Sequence, residues 1–520
     1  MEDRDGQLDR RELVTAAAGV VAAAAAVRAP AAIASDRVRR KSKVARYAMS
    51  GAVTNGDTAD PALSSTQHDG RLMVAVYEQL TGYDQGLRAT PWLAESWQHN
   101  GSGTVWTFKL RKGVRFHDGS ALTAKDVVYT FQRLIDPKTK SPAASLLSFL
   151  DPAGIKAVND HTVRFQLNRP IADLAGALIT KSSYIVKRGS RGADLATQTN
   201  GTGPFKLGHF TAGQTQTTFV RNSRYWQRGL PKSDIVQLIS IPEPASRVAA
   251  LKRGQVDVIE DPAGSDVPGL NGGGTEVVFQ PKGNMEVIAM QIDQPPFDDM
   301  RVRQALKYAL DRNKMIQLVA QGAAGTVNDI PIAPFLQYAV PGPARAHDIA
   351  KAKALLQQAG HGGGLTVKLS VSDVQARFMD FATAYQAMAS QAGINVQLDV
   401  RPADTYWDNA WLKTPMFVSA WIARPADAML NLLFPSDAAW NETHWKSPKW
   451  DAQFAAAQRT LDPKKRTALY RALERQIIDQ GGYLVPYMVK TVGATRSNVR
   501  GYAPSGTFFE GERFKTIDIR

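Results

Sequence analysis

The eight histidines stand singly, at positions 68, 99, 117, 161, 209, 347, 361 and 444. No two share the i, i+4 spacing that puts a pair of imidazoles on one helix face, and no H-E-x-x-H occurs, so a histidine-held metal is not expected. The chain has no cysteine, which removes disulfides, thiolate metal sites and cysteine nucleophiles together. No G-x-S-x-G elbow offers an exposed serine nucleophile. Carboxylates are plentiful, but a hydrolytic pair is defined by its separation in space, which spacing along the chain does not give. His117, within Phe-His-Asp-Gly, reads as a packed, hydrogen-bonded turn residue. The triplets Gly272–Gly274 and Gly362–Gly364 lack a following Lys-Ser/Thr and read as loops, not phosphate cradles. Six of the ten tryptophans crowd between Trp407 and Trp450, a pattern open to a core, an aromatic platform or a cleft wall. This inventory contains no recognisable catalytic set and calls for no cofactor.

A chain of 520 residues exceeds one core and divides into two or three lobes. Its formal charge of +15 is spread along the sequence. The one dense cluster (Arg37, Arg39, Arg40, Lys41, Lys43 and Arg46) lacks the interleaved aromatics that single-stranded nucleic acid would stack on, so no nucleic-acid partner is expected. Arg10-Arg11-Glu12-Leu13-Val14 resembles the twin-arginine export motif. A short, Ala-rich apolar stretch follows from Thr15 to Val27, and Ala32-Ile33-Ala34 is a small-residue cleavage site with the cut before Ser35. An ordinary secretory leader carrying two arginines is the plainer alternative. Removing residues 1–34 takes away four basic and five acidic residues and leaves a mature charge of +16. No later stretch is long and apolar enough to span a membrane.

The elements that position these residues are legible by period. Trp106-Thr-Phe-Lys-Leu110 alternates as a half-buried strand, and Lys112-Gly113 and Asp118-Gly119 are turns. Thr123 with Asp126 three residues on is a capping box, and Val127, Val128, Phe131, Leu134 and Ile135 give the helix after it a buried face. Val302, Leu306, Ala309 and Leu310 form the apolar face of a helix after Asp298-Asp299; Ile316 and Val319 continue that face if the helix resumes after Asn313, and Gly322 ends the segment. From Asp348 to Arg401 the pattern is helix, strand, helix, strand, with strands at Leu365–Val371 and Ile394–Val400; this predicts parallel pairing through crossover helices. Asp462-Pro463 starts a helix that Gly481 stops.

Several blocks, in order, resemble the signatures of the family 5 extracellular solute-binding proteins, the peptide and nickel receptors of ABC importers. They are VYEQLTGYD at Val76–Asp84, LAESW at Leu93–Trp97, WTFKLRKGVRFHDG at Trp106–Gly119, NGTGPF at Asn200–Phe205, RNSRYW at Arg221–Trp226, ASRVAALKRGQVD at Ala245–Asp257 and PFDDMRVRQA at Pro296–Ala305. The resemblance implies an α/β, two-lobed periplasmic-binding-protein fold of the type II, Venus-flytrap kind, with an extra inserted subdomain. The first lobe would take residues 44–85, 201–288 and 488–520, the inserted subdomain 86–200, and the second lobe 289–487, with ligand between the lobes favouring the closed state.

It also implies where a ligand sits. Trp421-Ile-Ala-Arg424-Pro-Ala-Asp427 occupies the place where peptide-binding relatives carry Trp-x-x-Asp, the acid receiving the ligand's ammonium group. Here that position is Arg424, and an arginine in a cleft suits a carboxylate, phosphate or sulfonate. Asp427 can receive an amine or neutralise Arg424. Ser65 and Gln67, Asn284 and Met285, and Tyr406 and Trp407 lie on segments that line the cleft in relatives. The implied protein is a monomeric periplasmic receptor, exported by the twin-arginine route, that takes a small peptide-like or anionic solute to an inner-membrane ABC permease and performs no chemistry. The alternative is an exported hydrolase that cleaves glycosides or peptides with cleft carboxylates.

Overall fold

Trp106, Phe108 and Leu110 are buried on one side of the strand Val105–Leu110, while Lys109 between them is exposed. That alternation sets the antiparallel sheet Ala94–His99, Val105–Leu110, Thr162–Gln166, Lys156–Asn159. Helix Ala124–Ile135 covers it, and the predicted capping box is present between Thr123 and Asp126. Val127, Phe131 and Leu134 enter this core with Phe165.

The computed structural model describes residues 42–520 apart from 85, 281–282, 376 and 505–513. The expected leader, 1–34, and the basic residues Arg37, Arg39, Arg40 and Lys41 lie outside the described residues. Residues 43–520 form one unit.

A seven-stranded sheet is assembled from distant segments, in the order Thr275–Gln280, Thr491–Arg496, Val258–Glu260, Val44–Met49, Ile235–Ser240, Gln216–Arg221, Phe205–Lys206. Val44–Met49 runs parallel to both its neighbours. A five-stranded sheet has the order Ile394–Val400, Leu365–Val371, Met416–Ile422, Asn284–Met290, Tyr483–Leu484. Leu365–Val371 and Ile394–Val400 pair in parallel around helix Phe378–Ser390, as the alternation predicts. The chain passes from the first of these sheets to the second between Gln280 and Asn284 and returns between Leu484 and Thr491. At this double crossing Gly283 lies against the returning strand: a Cβ there would sit 2.4 Å from the Val489 carbonyl oxygen. Helix Pro463–Gln480 starts at Asp462, whose side chain accepts from Lys465 N, and ends at Gly481. The segment after Asp298-Asp299 forms two helices, Met300–Tyr308 and Arg312–Ala320, because Asp311 caps a new start.

The motif blocks meet at one buried carboxylate. Glu78 accepts from Thr202 Oγ1 at 2.9 Å, Tyr225 Oη at 2.8 Å and Trp226 Nε1 at 2.8 Å, joining VYEQL, NGTGPF and RNSRYW. Gly201 and Gly203 allow this approach, since a Cβ on Gly201 would lie 2.0 Å from the Val76 carbonyl oxygen. His117 belongs to the same junction: its Nε2 lies 3.0 Å from Gly203 O, and burial lowers its pKa to about 4, so it is neutral.

Candidate functional site

Two walls enclose a cavity of about 740 Å³. One wall comes from residues 142–182 with Ser64 and Ser65; it is apolar at Leu146, Phe149 and Ile171 and polar at Asp173 and Lys181. The other comes from the start of helix Ala426–Leu433, with Arg424 and Asp427, and from Gln458, Arg466 and Tyr470 on the following helices. The walls touch at one end, where Ala172 N donates to Gln458 O at 3.0 Å and Arg466 Nη1 donates to Ala172 O at 3.2 Å.

Arg424 precedes the helix by two residues, with Pro425 between them as the N-cap residue. Its guanidinium carbon is 5.5 Å from the centroid of the Trp421 ring, within cation–π range. Among the described residues it makes one hydrogen bond, from Nη1 to Ile422 O, and that bond is long at 3.4 Å. Among the described residues no carboxylate forms an ion pair with it. Desolvation lowers its pKa, yet a guanidinium stays charged, so this wall carries a cation that no described carboxylate neutralises.

Asp427 turns the other way. Its Oδ1 accepts from Gln458 Nε2 at 3.0 Å and from the Tyr470 hydroxyl. Tyr470 stacks on Tyr338 at 4.3 Å, and Tyr338 Oη accepts from Arg466 Nε at 2.7 Å, which fixes the carboxylate from behind. Asp173 caps the short helix Leu174–Ala177 through Gly176 N. Asp173 is exposed on the cavity lining; desolvation by the surrounding protein raises its pKa, the Asp427 charge adds to the rise, and Gly176 N–H and Arg466 oppose it.

The tryptophan cluster divides between core and wall. Trp450 and Trp445 are core, whereas Trp440 is 42% exposed and borders the cavity. Trp421 is held by the fully buried Glu442, whose oxygens accept from Trp421 Nε1 at 2.9 Å, Trp411 Nε1 at 2.6 Å, Ser419 Oγ at 2.6 Å and Tyr483 Oη at 2.6 Å. Burial raises the Glu442 pKa and these donors oppose the rise. Glu442 therefore sets the plane on which Arg424 rests.

Of the residues expected from sequence, Ser65, Arg424 and Asp427 come together on the cavity lining, with Trp421 one layer behind Arg424. Gln67, Asn284, Met285, Tyr406 and Trp407 do not line this cavity. The Met285 side chain is in the core, and the Tyr406 hydroxyl is bonded to Ser370 O and Val418 O. Lys181 and Asp173 line the cavity but were not anticipated: they lie in a stretch with no motif, and only the fold brings them opposite Arg424 and Asp427. Among the described residues no group of three or more metal-ligating side chains is assembled, and no helix is long and apolar enough to cross a membrane.

The model of the bacterial extracellular solute-binding proteins, family 5, matches residues 88–441. The glutathione-binding protein GsiB of Pectobacterium atrosepticum is 27% identical over 457 residues, covering 84% of this chain and 87% of that one. Among solved structures, HbpA2 from Haemophilus parasuis superposes with a TM-score of 0.80 at 23% identity, over 92% of this chain and 100% of the other. The periplasmic binding protein DppA from Helicobacter pylori, in complex with the peptide STSA, does so with a TM-score of 0.71 at 25% identity, over 92% and 98%. The fold is thus that of the two-lobed periplasmic binding proteins. With the family model spanning most of its length, the chain belongs to the bacterial extracellular solute-binding proteins of family 5, and serves as a periplasmic substrate-binding protein of an ABC importer, not as an enzyme.

Proposed function

We propose that the solute is small and peptide-like and bears a carboxylate or similar anionic group, which Arg424 anchors. The observation that carries this reading is the half-buried guanidinium of Arg424, which lines the cavity and forms no ion pair with a carboxylate among the described residues. An anion placed there gives a half-buried guanidinium a charge-assisted, two-point hydrogen bond. Ser65 contributes a hydroxyl on the facing loop, and Trp421 orients the arginine. Asp427 and Asp173, on the same lining, suit an ammonium group, and Leu146, Phe149 and Ile171 suit an aliphatic body between the two ends. Glutathione, the ligand in the name of the GsiB relative, has this chemistry: carboxylates, an ammonium and a short flexible chain.

In this reading residues 44–85, 201–288 and 488–520 form one lobe, 86–200 its inserted subdomain and 289–487 the second lobe, and the protein works as a monomer after export by the twin-arginine route. A thermal-shift screen of the mature protein from Ser35 tests the solute class, because a ligand that binds only the native state raises the melting temperature by mass action. The panel holds glutathione, di- and tripeptides, acidic amino-acid conjugates, oligosaccharides and nickel chelates. Stabilisation by acidic conjugates, lost when their carboxylates are esterified, supports the reading. Equal stabilisation by esterified and free forms overturns it.

A further inference from the structure

We propose that Trp440 is the floor of a ring subsite beside Arg424, so that the preferred solute carries an aromatic ring on the same residue as its carboxylate. This rests on the anionic-solute reading above and adds the side chain that selects among acidic peptides.

Among the described residues, two large apolar side chains that stay exposed also line this cavity: Leu146 at 64% on one wall and Trp440 at 42% on the other. Trp440 is joined to the anion anchor through one ring. The Trp421 centroid lies 5.5 Å from the Arg424 guanidinium carbon and 5.8 Å from the Trp440 centroid. A carboxylate on Arg424 therefore brings the side chain of its own residue within reach of Trp440. The indole is held in place before any solute arrives. Trp411 meets it edge-on at 5.6 Å and 82°, and Glu442 fixes both Trp411 and Trp421 by their indole N–H groups. The loop beneath is pinned as well. Asn441 Nδ2 donates to Trp445 O at 2.7 Å, Asn441 Oδ1 accepts from Trp445 N at 3.0 Å, and Glu442 N donates to Trp440 O at 2.8 Å. A rigid aromatic surface loses little freedom on contact, so most of what it gains from a partner appears as affinity. A second ring gains more there than an aliphatic group of the same size, because ring pairs add an edge or offset-stacked term to the buried area. Leu146, from the opposite wall, supplies apolar cover for the other side of that ring.

The test uses two probes that differ only in the ring: the dipeptide alanyl-phenylalanine and its saturated counterpart alanyl-cyclohexylalanine. Isothermal titration of the mature wild-type protein should favour the aromatic probe by about 3- to 10-fold, although the saturated ring is the more apolar. W440L, which keeps apolar bulk, should lose that preference, and W440F should retain it. Melting curves of both variants should match wild type, since the residue is a surface one. Acrylamide should quench wild-type tryptophan emission less once the aromatic probe is bound. Equal affinity of wild type for the two probes overturns the proposal and leaves Trp440 as plain apolar cover. So does a preference that survives in W440L, or a failure of the wild type to bind the aromatic probe. R424Q separates the two readings. It should weaken both probes by the same factor and leave the preference intact. If it leaves both affinities unchanged while W440L abolishes the preference, the Arg424 anchor fails and the ring subsite stands. If it weakens both and wild type shows no preference, the anchor stands and the ring subsite fails.

Discussion

The guanidinium of Arg424 lies over the indole of Trp421, three residues earlier in the chain, at 5.5 Å. Backbone geometry at Pro425 and the first helical turn then sends Asp427 away, onto Tyr470 and Gln458. A pair that spacing alone would allow to neutralise itself is in fact separated, and the positive member faces the cavity.

Arg424→Gln should weaken binding of an acidic solute by about 10- to 100-fold, the loss of a charge-assisted hydrogen bond of roughly 1.5–3 kcal/mol. The unliganded variant should melt no lower than wild type, because the half-buried guanidinium forms no ion pair among the described residues that the substitution would break. Isothermal titration and a melting curve on the same preparation check both halves. Unchanged affinity removes Arg424 as the anchor.

Glu442→Ala leaves two indole N–H groups and two hydroxyls without their acceptor in the core. We expect a loss of roughly 3 kcal/mol or more in denaturant unfolding. Tryptophan emission should also change as Trp421 and Trp411 lose their fixed plane. A variant as stable as wild type would mean that water replaces the carboxylate.

Gly201→Ala asks for a Cβ 2.0 Å from a backbone carbonyl oxygen of Val76, which no rotamer change can relieve. Destabilisation should exceed the roughly 1–3 kcal/mol of ordinary overpacking. The expected readout is loss of soluble protein or a much lower denaturation midpoint, with Gly70→Ala, where a Cβ meets nothing within 4 Å, as the control.

Glu474 is buried, accepts one hydrogen bond from Val340 N at Oε2 and none at Oε1, and its pKa is raised to about 8 by that burial. The folded protein therefore holds this proton between about pH 4.5 and 8 while the unfolded chain releases it. Native binds more protons than unfolded in that window, so this group's contribution is full below it and is lost as pH rises through it. Glu474→Gln mimics the protonated form and should flatten the decline. Melting temperatures of both proteins from pH 5 to 8.5 give the slope difference, and parallel curves would refute the assignment.

What the sequence discloses follows from how local each feature is. The capping box at Thr123 and Asp126, the alternation at Trp106–Leu110 and the start at Asp462-Pro463 involve neighbours within four residues, and all three stand as expected. The parallel pairing of Leu365–Val371 with Ile394–Val400 followed from the helix between them. The site was less legible. Arg424, Asp427 and Ser65 entered through resemblance, since no period marks a cavity lining. Lys181 and Asp173 gave no signal, because a cavity wall collects residues from separate segments. Tyr406 and Met285 show the converse: both are on segments named by resemblance, but one spends its hydroxyl on two carbonyls and the other fills the core.

The strand Thr491–Arg496 is the last of its sheet to be synthesised, yet it lies between Val258–Glu260 and Thr275–Gln280. A ribosome has therefore made 490 residues before the piece that joins those two strands exists. Until then both present open edges to any other chain in the cell. The nascent receptor must be nearly complete before this sheet can be closed, so a truncated product is an aggregation hazard, not a smaller receptor.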